Sequence, residues 1–286
     1  MTGRITSRVV IALPGSERLT GFMAQPGADS FEVFEAFDGR EGAVPPFFDV
    51  RGFEARYGVP ARGGEIGCAA SHYLAIKAFA RAPGKDSDLL LVCEDDARWT
   101  SVFWRTMRRI EAAPLRLRYV VLADVLGAPN GRSLYSLSEK HARLSLLVWP
   151  VGWCAGAFRR LGYVGGTVWG AGCYLISRAC ARRYVEWVGR SGLSWKADDY
   201  DVWSHEVGVR IMLVRPGLCS WEGETTIGSP TFLVRQDPRH ETHGGLVTRV
   251  RTRLALGTRL RRLREAARVT RQDLAHRRRP VGGGPS

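Results

Sequence analysis

Lysine is nearly missing from this chain: four lysines stand against a formal net charge of +14, so arginine supplies almost all the positive charge. No C-x-x-C pair occurs. The six cysteines stand singly at 68, 93, 154, 173, 180 and 219, with no His/Cys cluster at zinc spacing, which excludes the common structural zinc modules. Several lie in apolar stretches, where a reduced thiol acts as a small buried hydrophobe, so a cytosolic chain is expected. No apolar run reaches the ~20 residues that span a bilayer. The first such run, Val9-Val10-Ile11-Ala12-Leu13, stops at Pro14-Gly15, too short for a secretory leader. No internal repeat appears, which excludes solenoids and propellers.

What remains is a chain of 286 residues, 45% hydrophobic and 10% aromatic. That composition supports one large α/β domain with a full core and argues against disorder over the body. The charge is uneven: residues 239–279 hold thirteen arginines and three acids. The expected organisation is a body over 1–235 and a basic, amphipathic, partly disordered tail over 236–286.

Short apolar runs bounded by turn residues predict strands at Val9–Leu13, Phe31–Phe37, Asp88–Cys93, Tyr119–Ala123, Ala171–Ser177 and Ile211–Val214. Helical spacing predicts helices from Gly64 to Ala80, from a Thr100 cap to about Ala113, and over Arg178–Val188 behind a Ser177 cap. A short helix follows Asp198-Asp199-Tyr200-Asp201. Leu144–Pro150 and Gly152–Tyr163 read as irregular strands, and residues 40–62 and 127–143 as loops. Strand and helix alternate at a spacing that predicts a mostly parallel, Rossmann-type sheet with helices on both faces.

Four blocks carry candidate chemistry. The first is Val92-Cys93-Glu94-Asp95-Asp96, three carboxylates following a buried strand without a break. Ligands of open α/β sheets bind at the carboxyl ends of strands. Three acids there repel one another unless a hard cation sits among them. Taken alone, the triplet reads equally well as a solvated acidic turn. The second is Gly64-Glu65-Ile66-Gly67-Cys68-Ala69-Ala70-Ser71-His72, a glycine-rich helix start with free N–H groups; alone, His72 reads as a hydrogen-bonded core histidine. The third is Trp169-Gly170-Ala171-Gly172-Cys173-Tyr174-Leu175-Ile176-Ser177, whose plain reading is a packed strand–helix unit. The fourth, Lys196 to Trp203, sets acids beside aromatics, as a sugar site or a capped helix start would.

In this order and spacing the blocks resemble glycosyltransferase family 25, the lipopolysaccharide-type β-galactosyltransferases. The resemblance runs from about Val9 to Phe232. The Gly64–His72 block matches the family's G-E-I-G-C-x-x-S-H, and Cys93–Asp96 its L-E-D-D. Weaker matches are the opening Leu13–Arg18 segment, Gly170 to Ser177, the acids at 198–201 and Thr225-Thr226-Ile227. Ala12 replaces the family's opening Asn, and 127–165 has no counterpart.

The resemblance implies a GT-A-like fold and a metal-assisted, inverting transfer of a hexose, with UDP-galactose favoured as donor. The acceptor would be a hydroxyl of a lipopolysaccharide, capsule or other glycan or glycolipid. Glu94 and Asp96, bracketing Asp95 in a D-x-D-like pattern, would hold Mn²⁺ or Mg²⁺. Arg18, Glu65, Ser71, His72, Glu94, Asp95 and Tyr174 would form the nucleotide-sugar site. The base candidates are Asp199 and Asp201, with Asp198 in reserve.

In the tail, Leu246, Val250, Leu254, Leu260, Leu263 and Ala267 fall at helical spacing among arginines. This predicts a basic amphipathic helix for anionic membrane surfaces over 246–279, placing the enzyme in the cytoplasm and peripherally on the inner face of the membrane. A solvated tail is the plain alternative. Clustered arginine also suits nucleic acid, but no nucleic-acid module accompanies it. A scaffold that kept the fold and lost turnover is the other reading.

Overall fold

The computed structural model describes residues 3–123, 142–154, 157–221 and 256–278. The parts of the expected tail at 236–255 and 279–286, the Thr225–Ile227 element and the expected loop over 127–141 lie outside that range.

The chain is α/β, built on an eight-stranded sheet in the order β2-β1-β3-β8-β5-β9-β7-β6. The strands are β1 (Ile5–Ala12), β2 (Glu32–Glu35), β3 (Leu89–Glu94), β5 (Tyr119–Val121), β6 (Ala142–Cys154), β7 (Ala157–Gly166), β8 (Cys173–Ser177) and β9 (Ile211–Arg215). A separate antiparallel pair joins β4 (Ala97–Trp99) to β10 (Cys219–Trp221).

The sheet is mixed, which corrects the mostly parallel expectation. The pairs β1–β2, β1–β3 and β5–β9 are parallel; β3–β8, β5–β8, β7–β9 and β6–β7 are antiparallel. A buried apolar run such as Cys173–Ser177 reads the same in either direction, so hydrophobicity alone does not orient β8. Strands β6 and β7 follow each other closely in the chain, and only an antiparallel pair closes over so short a connection.

Helices cover both faces, as expected. The β1 and β3 side chains alternate between the two layers: Val9, Ile11, Leu90 and Val92 point to one, Val10, Leu89, Leu91 and Cys93 to the other. The first layer is completed by α2 (Val50–Tyr57), α3 (Gly63–Arg81), α5 (Arg178–Ser191) and α6 (Tyr200–His205). The second contains α1 (Glu17–Met23) and α4 (Phe103–Glu111).

Three local expectations change. Helix α2 lies inside the stretch read as loop; its single buried residue, Phe53, leaves no periodic pattern, although Asp49 caps it by accepting from Gly52 N at 2.9 Å. Helix α4 begins at Phe103 behind Val102 rather than at a Thr100 cap. The Thr100 carbonyl instead accepts from Phe103 N in the preceding turn. Ala142 and Arg143 belong to β6 rather than to a loop. The Ser177 cap stands as expected, its hydroxyl accepting from Cys180 N.

A final helix, α7 (Leu256–Arg278), lies against β6 and β7. Glu265 accepts from Arg143, Thr270 Oγ1 from Leu146 N at 2.8 Å, and Val269 packs beside Gly165. Asp273 is fully buried between Arg210 and Arg277. The docked face is therefore mostly polar, while Leu260 and Leu263 of the expected apolar stripe face solvent.

Candidate active site

Strand β1 lies between β2 and β3, both parallel to it. The chain therefore leaves β1 in one direction and returns on its other side, which opens a crevice at the carboxyl ends of β1 and β3. The acidic triplet stands there, at the end of β3. Opposite it, the turn after β1 supplies Ser16, the residue preceding α1, and the first turn of α1 supplies Arg18. Ser16 Oγ donates to Asp95 at 2.5 Å. Arg18 Nη1 donates to Asp96 at 3.1 Å, and its Nε lies 3.8 Å from Asp95. Arg98 closes the turn from below, donating to the Asp95 carbonyl at 3.1 Å.

The glycine-rich block opens α3. Gly67 packs against the backbone after β2: a Cβ at this position would sit 2.8 Å from the Phe37 carbonyl. The glycines thus seat α3 on the chain leaving β2. Ser71 serves the same joint, accepting from Phe37 N at 2.8 Å and donating to the Gly67 carbonyl at 2.6 Å. Glu65 accepts from Arg62 N at 3.0 Å and pairs with Lys196 at 3.0 Å.

His72, one turn further along α3, reaches the triplet. Its Nε2 lies 3.0 Å from Glu94 Oε1 and its Nδ1 2.9 Å from the Tyr174 hydroxyl. A carboxylate only accepts, so in the neutral ring Nε2 carries the proton and Tyr174 donates to Nδ1. Tyr174 is buried on β8, stacked on Tyr119 at 4.7 Å. It stands behind His72 rather than open to a ligand.

The three acids near residue 200 separate. Asp198 Oδ2 accepts from Gly170 N at 2.8 Å. Gly170 has φ 95°, left-handed backbone that favours glycine. The carbonyl of Gly172, two residues further on, accepts from Glu94 N at 2.9 Å, which brings Asp198 to the end of β3; burial and then the charge of Glu94 raise its pKa. Asp199 caps α6 through Val202 N at 3.3 Å and accepts from Tyr57 at 2.5 Å. Asp201 is exposed, with Asp199 and His205 as its charged neighbours. Residues 198, 199 and 201 thus point to different surroundings, and only Asp198 shares the crevice with Glu94.

Negative charge is crowded here. The Asp96 carboxyl is raised to about 7, first by burial and then by Glu94, against the pull of Arg18. The Cys68 thiol is pushed up by burial and then by Glu94 and Asp198, so it stays protonated. Cys68, His72 and Glu94 lie close enough to share an ion. Yet the groups already partner one another, the thiol donating to Glu94 at 3.9 Å. Asp96 differs: its Oδ1 is buried with no hydrogen-bond partner among the described residues. An unpaired buried carboxylate oxygen among like charges is what a divalent cation would relieve.

Tyr57 and Arg98 lie outside the candidate blocks read from the sequence, and Ser16 and Lys196 lie inside such blocks without an assigned role. Ser16 has a signal, standing two residues before Arg18. Tyr57 has none, because α2 leaves no periodic pattern.

No protein-family model matches the chain, and no curated protein matches it.

Proposed function

We propose that the chain is a nucleotide-sugar-dependent glycosyltransferase, moving a hexose, with UDP-galactose the favoured donor, onto a hydroxyl of a surface glycan or glycolipid. The observation that carries this reading is the Glu94-Asp95-Asp96 triplet at the end of β3, with a buried Asp96 oxygen that has no hydrogen-bond partner among the described residues and a carboxyl crowded by Glu94 and Asp95. The resemblance to family 25 supports it from the sequence side.

Glu94 and Asp96 would hold Mn²⁺ or Mg²⁺; the donor set is all carboxylate oxygen, which suits a hard ion. Such an ion supplies Lewis-acid neutralisation of the charge on a departing diphosphate. The residues around it do the rest. Arg18 and Ser16 hold Asp96 and Asp95 in place. His72 fixes one Glu94 oxygen, leaving the other free for a ligand. Asp198 takes the role of base: it is held at the end of β3, and its raised pKa brings it closer to the proton it must accept from a hydroxyl. Tyr57 and Asp199 position it by fixing the start of α6.

Calorimetric titration with UDP, in Mn²⁺ and in EDTA, tests the reading. It requires metal-dependent binding that Asp96→Ala abolishes; UDP binding that ignores metal sinks it.

A further inference from the structure

Among the described residues, every exposed leucine, tryptophan and phenylalanine lies on the β6–β7 hairpin or α7, while exposed Met23, Val33, Val44, Val50 and Val59 are scattered elsewhere. Trp153 and Phe158 stand 58% and 60% exposed at the hairpin end, their rings edge to face at 4.9 Å. Between Leu144 and Val148 the β6–β7 register shifts. The shift turns Ser145 in toward Thr270 and leaves Leu146 and Leu147 in solvent. From Leu146 to Trp153 the strand carries an apolar edge about 23 Å long at ~3.3 Å per residue. A patch of this kind on a soluble face marks a contact surface.

Helix α7 continues it. At about 100° per residue, Leu260, Leu263, Ala267 and Leu274 fall within about 60° of arc, beside the docked face. Arg261, Arg264, Arg268 and Arg271 occupy the next arc of about 80°, and all four are exposed. Leucine flank and arginine flank thus lie side by side, which is the pattern of a helix lying in a membrane interface. Helix α4 brings more cations: Arg105, Arg108 and Arg109 are exposed, and Arg109 Nη1 lies 3.8 Å from where a Cβ at Gly152 would stand, next to Trp153. The acids of these elements are engaged inward. Glu111 accepts from Ile5 N, Glu265 from Arg143, and Asp273 from Arg210 and Arg277.

We propose that the β6–β7 hairpin end and the outer face of α7 form one docking surface for an anionic lipid bilayer. The aromatic pair and the leucines enter the headgroup boundary, and the arginines bind lipid phosphates. A second copy of the chain is disfavoured, since the same arginines would face each other. A nucleic acid would satisfy the arginines but leave the leucines in water. The proposal does not rest on the transferase reading, because its test measures no turnover.

The test is flotation of the full chain with phosphatidylcholine vesicles, plain or containing phosphatidylglycerol. The double variants Trp153→Ser/Phe158→Ser and Arg264→Glu/Arg271→Glu are run beside it, with melting temperatures to show that each is folded. The chain should float only with the anionic vesicles, and each double variant should weaken partition roughly tenfold or more. Failure to float with anionic vesicles overturns the proposal, as does unchanged partition in a folded variant. A dimer in sedimentation that Trp153→Ser/Phe158→Ser dissolves, without vesicle binding, also overturns it in favour of self-association.

Discussion

His72 stands 3.0 Å from Glu94, and that contact ties the first turns of α3 to the end of β3. The ring is held on its other side by Tyr174, so three elements meet on one imidazole. Tyr174→Phe removes the donor to a buried ring nitrogen. It should cost about 1–3 kcal/mol of stability in urea unfolding, and it should let Glu94 move, lowering metal affinity as well. A variant with unchanged stability and metal binding would mean that the tyrosine only fills space.

Asp96 gives a pH dependence with a definite sign. Burial and the charge of Glu94 raise its carboxyl in the fold from the ordinary 3.8 to about 7. Between those values the folded chain binds more protons than the unfolded one, so the Asp96 contribution to stability falls as pH rises, and it levels off above about 7. In EDTA, Asp96→Asn should therefore gain on the parent chain progressively from pH 4 to about pH 7. Urea midpoints measured across that range check this; a difference that is flat with pH refutes it. Ion binding must displace the same proton, so Mn²⁺ affinity should rise with pH over the upper part of the window.

The three acids near α6 should behave differently. Asp198→Asn should abolish transfer while leaving UDP binding near normal. Asp199→Ala should cost about 1 kcal/mol through loss of a helix cap, with a partial loss of rate because the segment that positions Asp198 loosens. Asp201→Asn should change little, since the side chain is exposed. Thermal melts and steady-state rates on the three variants separate these outcomes. An Asp198→Asn enzyme that turns over normally removes Asp198 from the role of base.

At the far edge of the sheet, Asp273 is completely buried with Arg210 and Arg277. Asp273→Ala leaves Arg210 without its ion partner in a mostly enclosed site, a change that costs about 3–5 kcal/mol. Equilibrium unfolding measures it directly. A cost below about 1 kcal/mol, the level of an exposed pair, would mean that α7 does not dock as described.

Much of this architecture is legible in the residues. The runs Val9–Ala12, Leu89–Cys93 and Ile211–Val214 are short and continuously apolar because both faces are covered, and α3 announces itself by its broad apolar face. The triplet is legible because three acids after a buried strand demand an explanation. Strand direction is not legible at β8, whose side chains pack alike in either sense. Helix α2 is hidden because only Phe53 of its eight residues is buried. The separation of Asp198 from Asp199 rests on bonds from Gly170 N to the first and from Tyr57 to the second, tertiary contacts that local sequence does not encode. In the tail the helix is legible over the described residues 256–278 but its docked face is not, since α7 docks through Glu265, Thr270 and Asp273 rather than through its leucines.

The most direct test of the account is nucleotide release from a panel of UDP-, GDP- and CMP-sugars by the purified chain. It is run with Mn²⁺ and with EDTA, beside Asp96→Ala. The account predicts release of UDP from one UDP-sugar, dependent on the metal and lost in the variant. No release from any donor, together with no metal-dependent binding of any of the nucleotides, would contradict it.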